Sequence, residues 1–243
     1  MEILLIASLL SLGTFLGSFL SLFFRSVNVG VSLAFAAGVM LVASFTSLIL
    51  PGIEIGGFWK TATGIVLGFF LMMLVEVLSP HEHVVKGKEG LIKKESLNRL
   101  ILIVIGITIH NVPEGISVGV ATSHSWNTGF PLAIAIAVQD IPEGLVVSLP
   151  LMVMMKSTLI PLIIGFLSGF IESIFAVFGY YLMETFKNLL PYGLGFGGGA
   201  MLYVTVKEAL PEIYASGERE TKITLSFLTG FLLMLFLDSI EIK

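Results

Sequence analysis

The sequence predicts an all-α integral membrane protein of eight transmembrane helices, and three observations carry that prediction. Of 243 residues, 56% are hydrophobic and 12% charged, against about 25% charged in an ordinary soluble domain. Mean hydropathy is +1.00, too high for a surface that must be mixed and charged to face water. The apolar runs are each close to the ~20 residues a helix needs to cross the hydrocarbon core. Together these exclude a cytosolic enzyme, a nucleic-acid binder and a disordered chain. The absence of Cys excludes disulfides, a thiolate metal site and thiol redox chemistry.

Breaks at charge, proline and turn residues place the spans at 3–24, 30–50, 58–79, 99–122, 128–154, 158–185, 192–210 and 222–240. The first is read as a retained span rather than a signal peptide. Its only early charge is Glu2, no basic segment precedes it, and Ile3–Phe24 is long enough to cross. Spans 2 and 7 stop before Pro51 and Pro211, and spans 4 and 8 begin at Arg99 and Lys222. A single transporter domain over 1–243 is expected, with one long hydrophilic connection at 80–98. That connection holds His81, His83, Lys86, Lys88, Lys93 and Lys94.

Lys and Arg placement orients the bundle. With the N-terminus outside, the inner connections carry nine: Arg25, Lys86, Lys88, Lys93, Lys94, Arg99, Lys156, Arg219 and Lys222. The outer side carries three, Lys60, Lys187 and Lys243. The excess predicts both termini outside and the 80–98 loop in the cytoplasm.

The informative residues are those that lipid would reject. Span 4 contains His110-Asn111-Val112-Pro113-Glu114-Gly115, span 5 contains Gln139-Asp140-Ile141-Pro142-Glu143-Gly144, and span 6 carries Glu172. A carboxylate at mid-membrane costs about 2.5–3.5 kcal/mol on insertion scales. No Lys or Arg lies in the interior of these three spans, so protons or a metal cation must supply the compensating charge. Geometry favours the metal. His110, Asn111 and Glu114 share one helical face, and Gln139, Asp140 and Glu143 repeat the spacing. Pro113 and Pro142 each remove a backbone donor, which predicts kinked helices with freed carbonyls at Ile109 and Val138. Nitrogen and oxygen ligands without sulfur suit Zn²⁺, Fe²⁺ or Mn²⁺, and two matching Glu residues can bridge two ions. The motifs form a repeat offset by 29 residues on adjacent, oppositely directed spans, an arrangement found in transporters with midplane sites.

On these residues the chain resembles the ZIP (Zrt/Irt-like) family of divalent metal transporters, of the prokaryotic kind. The resemblance covers essentially the whole chain and implies a cell (inner) membrane protein, a homodimer, and a two-metal transport site between spans 4 and 5. Carried over, His110, Glu114, Gln139 and Glu143 line one metal position. Asn111, Glu114, Asp140, Glu143 and Glu172 line the second. Met40 would reach the site, while Ser47 and Glu54, seven residues apart on span 2, would guide ions in. Zinc is the implied substrate, with Cd²⁺, Fe²⁺ and Mn²⁺ as alternates and no organic cofactor. His81, His83 and Glu208 would stand on the side where ions leave. In one departure, Lys207-Glu208 stands where the family commonly has His before Glu, and Lys207 is expected to compete for Glu208.

Other residues receive plainer readings. His124 is interfacial; Glu76, Glu184 and Asp238 lie near span ends, meet water and have no assigned role. Gly197-Gly198-Gly199 lacks the strand and Lys-Ser/Thr of a phosphate loop and is read as close packing. Two rivals to transport of metal remain: an intramembrane metal-dependent hydrolase, and a proton-coupled carrier of organic substrate. The first lacks His-Glu-x-x-His and the second lacks a core Arg.

Overall fold

With no water in a bilayer to satisfy peptide groups, an apolar run must close its own hydrogen bonds, and these runs do so as helices. A computed structural model describes residues 2–23, 28–79, 81–83, 87–89 and 99–239. Eight helices follow in order: α1 (Glu2–Leu20), α2 (Val29–Gly56), α3 (Phe58–Leu78), α4 (Arg99–His124), α5 (Trp126–Met155), α6 (Leu159–Thr185), α7 (Lys187–Ala215) and α8 (Glu220–Ser239). Seven of them pass a test of span length and hydropathy, and α4, with 26 residues, is long enough to be the eighth. The chain is a multi-pass membrane protein.

Two spans are longer than expected, and for one reason. The sequence stops span 2 at Leu50 and span 7 at Leu210, each before a proline. Instead both helices widen into a six-residue π turn, Ser44–Ile49 in α2 and Val204–Ala209 in α7, and continue beyond it. Pro51 and Pro211 then fall in the first turn of the following α segment, where a missing N–H costs least. α4 and α5 likewise run unbroken through Pro113 and Pro142. α1 ends earlier than expected, where Ser21 Oγ donates to the Ser18 carbonyl and Ser21–Phe23 turn away.

The hydrophilic connection contains a short antiparallel pair, β1 (His81–His83) with β2 (Gly87–Glu89), in which His81 faces Glu89. The rest of it, residues 90–98 included, lies outside the described residues.

The helices pack in two sets. In one, α1 lies along α5 and α6, and α4 lies along α6; in the other, α2 pairs with α8 and α3 with α7. Glycine permits the closest approaches. A Cβ on Gly115 of α4 would stand 2.2 Å from the Glu172 carbonyl oxygen of α6, and one on Gly199 of α7 would stand 2.2 Å from the Ile65 carbonyl oxygen of α3. The glycine run of span 7 is therefore packing, as its sequence suggests. The sets meet where α4 touches α7 and where α2 and α8 touch α5. Large apolar side chains such as Phe70, Leu74, Phe170, Phe178, Leu232 and Phe236 point outward, as a lipid-facing surface requires.

Candidate metal centre

Helical periodicity brings the two Pro-Glu-Gly segments together. Residues three and four apart share a face, so α4 presents Asn111 and Glu114 while α5 presents Gln139, Asp140 and Glu143 towards it. Oxygens of Glu114, Asp140 and Glu143 all lie within 4.8 Å of one another. Glu114 and Asp140 are buried, and Glu143 is half-buried. Glu172, fully buried on α6, lies beside Asp140. Gln139 Nε2 donates to Glu114 Oε1 at 2.6 Å, and Asn111 Nδ2 donates to Ser168 Oγ of α6 at 3.1 Å. The second bond leaves the Asn111 amide oxygen as its available ligand atom.

The remaining oxygens define the chemistry. Glu114 Oε2, Gln139 Oε1, Asp140 Oδ2 and both oxygens of Glu172 are buried without a hydrogen-bond donor. Buried polar atoms are ordinarily satisfied, and an unpaired carboxylate in low dielectric is among the most costly groups a protein can hold. Five such acceptors on α4, α5 and α6, three of whose carboxylates lie together, suit a cation. Zinc–oxygen bonds of about 2.0–2.2 Å place ligands up to about 4.4 Å apart across one ion. At tetrahedral angles such bonds separate ligand atoms by about 3.4 Å, so Glu114, Asp140 and Glu143 would draw together by up to about 1.4 Å to share one ion.

Not every expected residue joins this group. His110 lies close enough to Glu114 and Glu143 to interact electrostatically, yet its Nε2 stands 2.9 Å from Glu208 Oε2 on α7. Met40 is buried in α2, and among the described residues its thioether makes no hydrogen bond to the cluster. Ser47 lies within the π turn of α2 and donates to Asp238 Oδ1 of α8 at 3.3 Å. Glu54 is exposed near the end of α2 and close enough to His124 to interact with it electrostatically. His81 and His83 sit on β1, and their side chains lie outside the described residues.

Three expectations are corrected. Lys207, expected beside Glu208, has its Nζ 2.9 Å from Glu76 Oε1 on α3. Successive helical residues point about 100° apart, so Lys207 and Glu208 reach different helices. Glu76 does not meet water: it is buried at 3% exposure and also accepts a hydrogen bond from the Tyr203 hydroxyl. Asp238 has a specific partner in Ser47. Glu184 does behave as an exposed end residue, with Lys187 at 3.6 Å. The involvement of Glu76, Tyr203 and Asp238 carries no motif. The nearest signal in the sequence is a carboxylate close to the end of an otherwise apolar span.

Comparison with known proteins identifies the family. The family model described as ZIP Zinc transporter matches residues 76–238, a stretch that holds both Pro-Glu-Gly motifs and Glu172. The chain is 36% identical over 246 residues to the zinc transporter ZIPB of Bordetella bronchiseptica, covering 93% of this chain and 77% of that one. It is 37% identical over 203 residues to the zinc transporter GufA of Myxococcus xanthus, covering 79% of each. It is 31% identical over 297 residues to human zinc transporter ZIP11, covering 85% of this chain and 86% of that protein. Nothing in these matches favours a hydrolase.

Proposed function

Since the chain belongs to the ZIP zinc transporter family, we propose that it carries zinc from outside to cytoplasm through the cluster between α4 and α5. The observation that carries this reading is that buried oxygens of Glu114, Asp140 and Glu172 lack a donor, with Glu143 within 4.8 Å of Glu114 and Asp140. Their charge attracts a dication, and their oxygens replace its hydration shell. Gln139 and Asn111 contribute amide oxygens, His110 an imidazole nitrogen, and Met40 a thioether from α2. Paired Glu114 and Glu143 can bridge two ions. Cd²⁺, Fe²⁺ and Mn²⁺ share the oxygen and nitrogen preference that admits zinc.

In the orientation given by the positive charges, both termini lie outside the inner membrane and the 80–98 loop lies in the cytoplasm. Ions come in past Glu54 and Ser47 and leave past Glu208, with His81 and His83 beyond. The two packing sets supply the moving parts. Glycine seams join α4 to α6 and α3 to α7 backbone to backbone, whereas α7 meets α4 partly through side chains such as Ser117 against Gly197. Motion of one set against the other would expose the cluster alternately to each side. The protein functions as a homodimer in this reading, with single-domain protomers.

Equilibrium dialysis of purified protein against zinc tests the site. Wild-type protein binds zinc stoichiometrically, and the double variant Glu114→Gln/Glu143→Gln loses that binding. Equal binding by both would place the ion elsewhere.

A further inference from the structure

Two places outside the central cluster repeat one another. Each of α2 and α7 opens into a six-residue π turn followed directly by Leu-Pro: Ser44–Ile49 then Leu50-Pro51, and Val204–Ala209 then Leu210-Pro211. Ser47 and Lys207 are each the fourth residue of their turn. α2 leads into α3, and α7 leads into α8. Glu76 lies near the end of α3 and Asp238 near the end of α8. The bonds run crosswise: Ser47 of α2 donates to Asp238 of α8, and Lys207 of α7 donates to Glu76 of α3. The end of α2 adjoins the start of α3, so the two contacts stand at opposite ends of the bundle. The α2–α3 and α7–α8 hairpins are thus inverted copies, and the two contacts are counterparts.

The counterparts differ in charge. Among the described residues, Asp238 is met by a hydroxyl and not by a cation. Glu76 is met by the Lys207 ammonium on one oxygen and the Tyr203 hydroxyl on the other. Tyr203 and Lys207 are four residues apart on α7 and so share its face. Glu76 is buried, while the Lys207 side chain is 48% exposed. The carboxylate is fixed between a hydroxyl and an ammonium whose side chain is half exposed.

We propose that Lys207 is the resident cation of this end of the pathway, holding the place beside Glu76 that a divalent ion would otherwise take. The two mouths then differ in affinity for divalent cations although the same repeat builds both. An ammonium tethered to the backbone competes at a high effective concentration with any free ion. Glu76 is then one carboxylate fewer to trap metal that leaves the central cluster past Glu208. The assignment of this end as the cytoplasmic one rests on the proposed function; the charge difference between the ends does not.

Zinc stoichiometry of the purified full-length protein tests this, measured by equilibrium dialysis on wild type, Lys207→Ser, Lys207→His, Lys207→Arg and Lys207→Ser/Glu76→Gln. Lys207→Ser copies the hydroxyl of the opposite mouth and should bind about one zinc more per chain than wild type. Lys207→His, which keeps a donor for Glu76, should do the same and decides the matter should the Ser variant misfold. Lys207→Arg should match wild type, and the double variant should lose the added ion. Wild-type stoichiometry in folded Ser and His variants would overturn the proposal while leaving the central site standing. An added ion that survives Glu76→Gln would overturn it too. Absence of zinc from wild type would instead count against the metal reading as a whole.

Discussion

His110 Nε2 on α4 stands 2.9 Å from Glu208 Oε2 on α7, so the one imidazole of the paired motifs reaches across the boundary between the two helix sets. In this arrangement His110 lies near Glu114 and Glu143 but has its Nε2 directed to Glu208. A histidine can bond Glu208 or ligate a metal through the same nitrogen, but not both at once. The pair therefore competes with metal for His110, and Glu208→Gln weakens the competitor. An ion-pair contact of this kind contributes about 1 kcal/mol, so zinc affinity at the cluster should rise by about fivefold. Maximal flux should fall, because release slows. Titration of zinc binding alongside uptake rates checks both, and unchanged affinity would remove the competition from the account.

Zinc should stabilise the folded protein only while the cluster is intact. Ligand at 100 times its Kd adds about 2.7 kcal/mol to stability. Thermal unfolding in detergent should therefore shift upward by several degrees for wild type and not for Glu114→Gln/Glu143→Gln. Equal shifts in both would mean that zinc is bound elsewhere.

Gly115→Ala should loosen the seam that aligns Glu114 with Glu172. The added methyl would lie 2.2 Å from the Glu172 carbonyl oxygen, and overpacking of this kind costs about 1–3 kcal/mol. A lower Tm together with weaker zinc binding is expected. A Tm equal to that of wild type would show that α4 and α6 separate freely.

Ser47→Ala removes the donor to Asp238 without altering charge. A hydrogen bond to a carboxylate contributes about 1.5–3 kcal/mol, so the expected change is about tenfold or more. Half-saturation for uptake should rise with the maximal rate little altered, which initial rates over a zinc series would read. A collapse of the maximal rate would assign Ser47 a structural role instead.

Much of this site was legible because lipid makes carboxylates conspicuous. Glu114, Asp140, Glu143 and Glu172 stand out in any apolar span; helical spacing puts Asp140 and Glu143 on one face of α5, and the packing of α4 on α5 brings Glu114 within 4.8 Å of both. The eight spans follow from hydropathy for the same reason. The π turns did not show, because one extra residue per turn leaves no trace in an almost wholly apolar pattern, and Pro51 and Pro211 read as helix ends. Long-range pairings were equally hidden. Glu76 and Lys207 are 131 residues apart, and adjacency in sequence made Glu208 look like the partner of Lys207. Only the packing of α3 on α7 shows which carboxylate the ammonium meets.

The central claim is that the Glu114–Asp140–Glu143 cluster carries the transported ion. Zinc uptake into proteoliposomes loaded with a fluorescent chelator tests it most directly, with wild type beside Glu143→Ala. The account predicts saturable wild-type flux that Glu143→Ala abolishes or strongly reduces. Wild-type flux matched by a folded Glu143→Ala protein would contradict it.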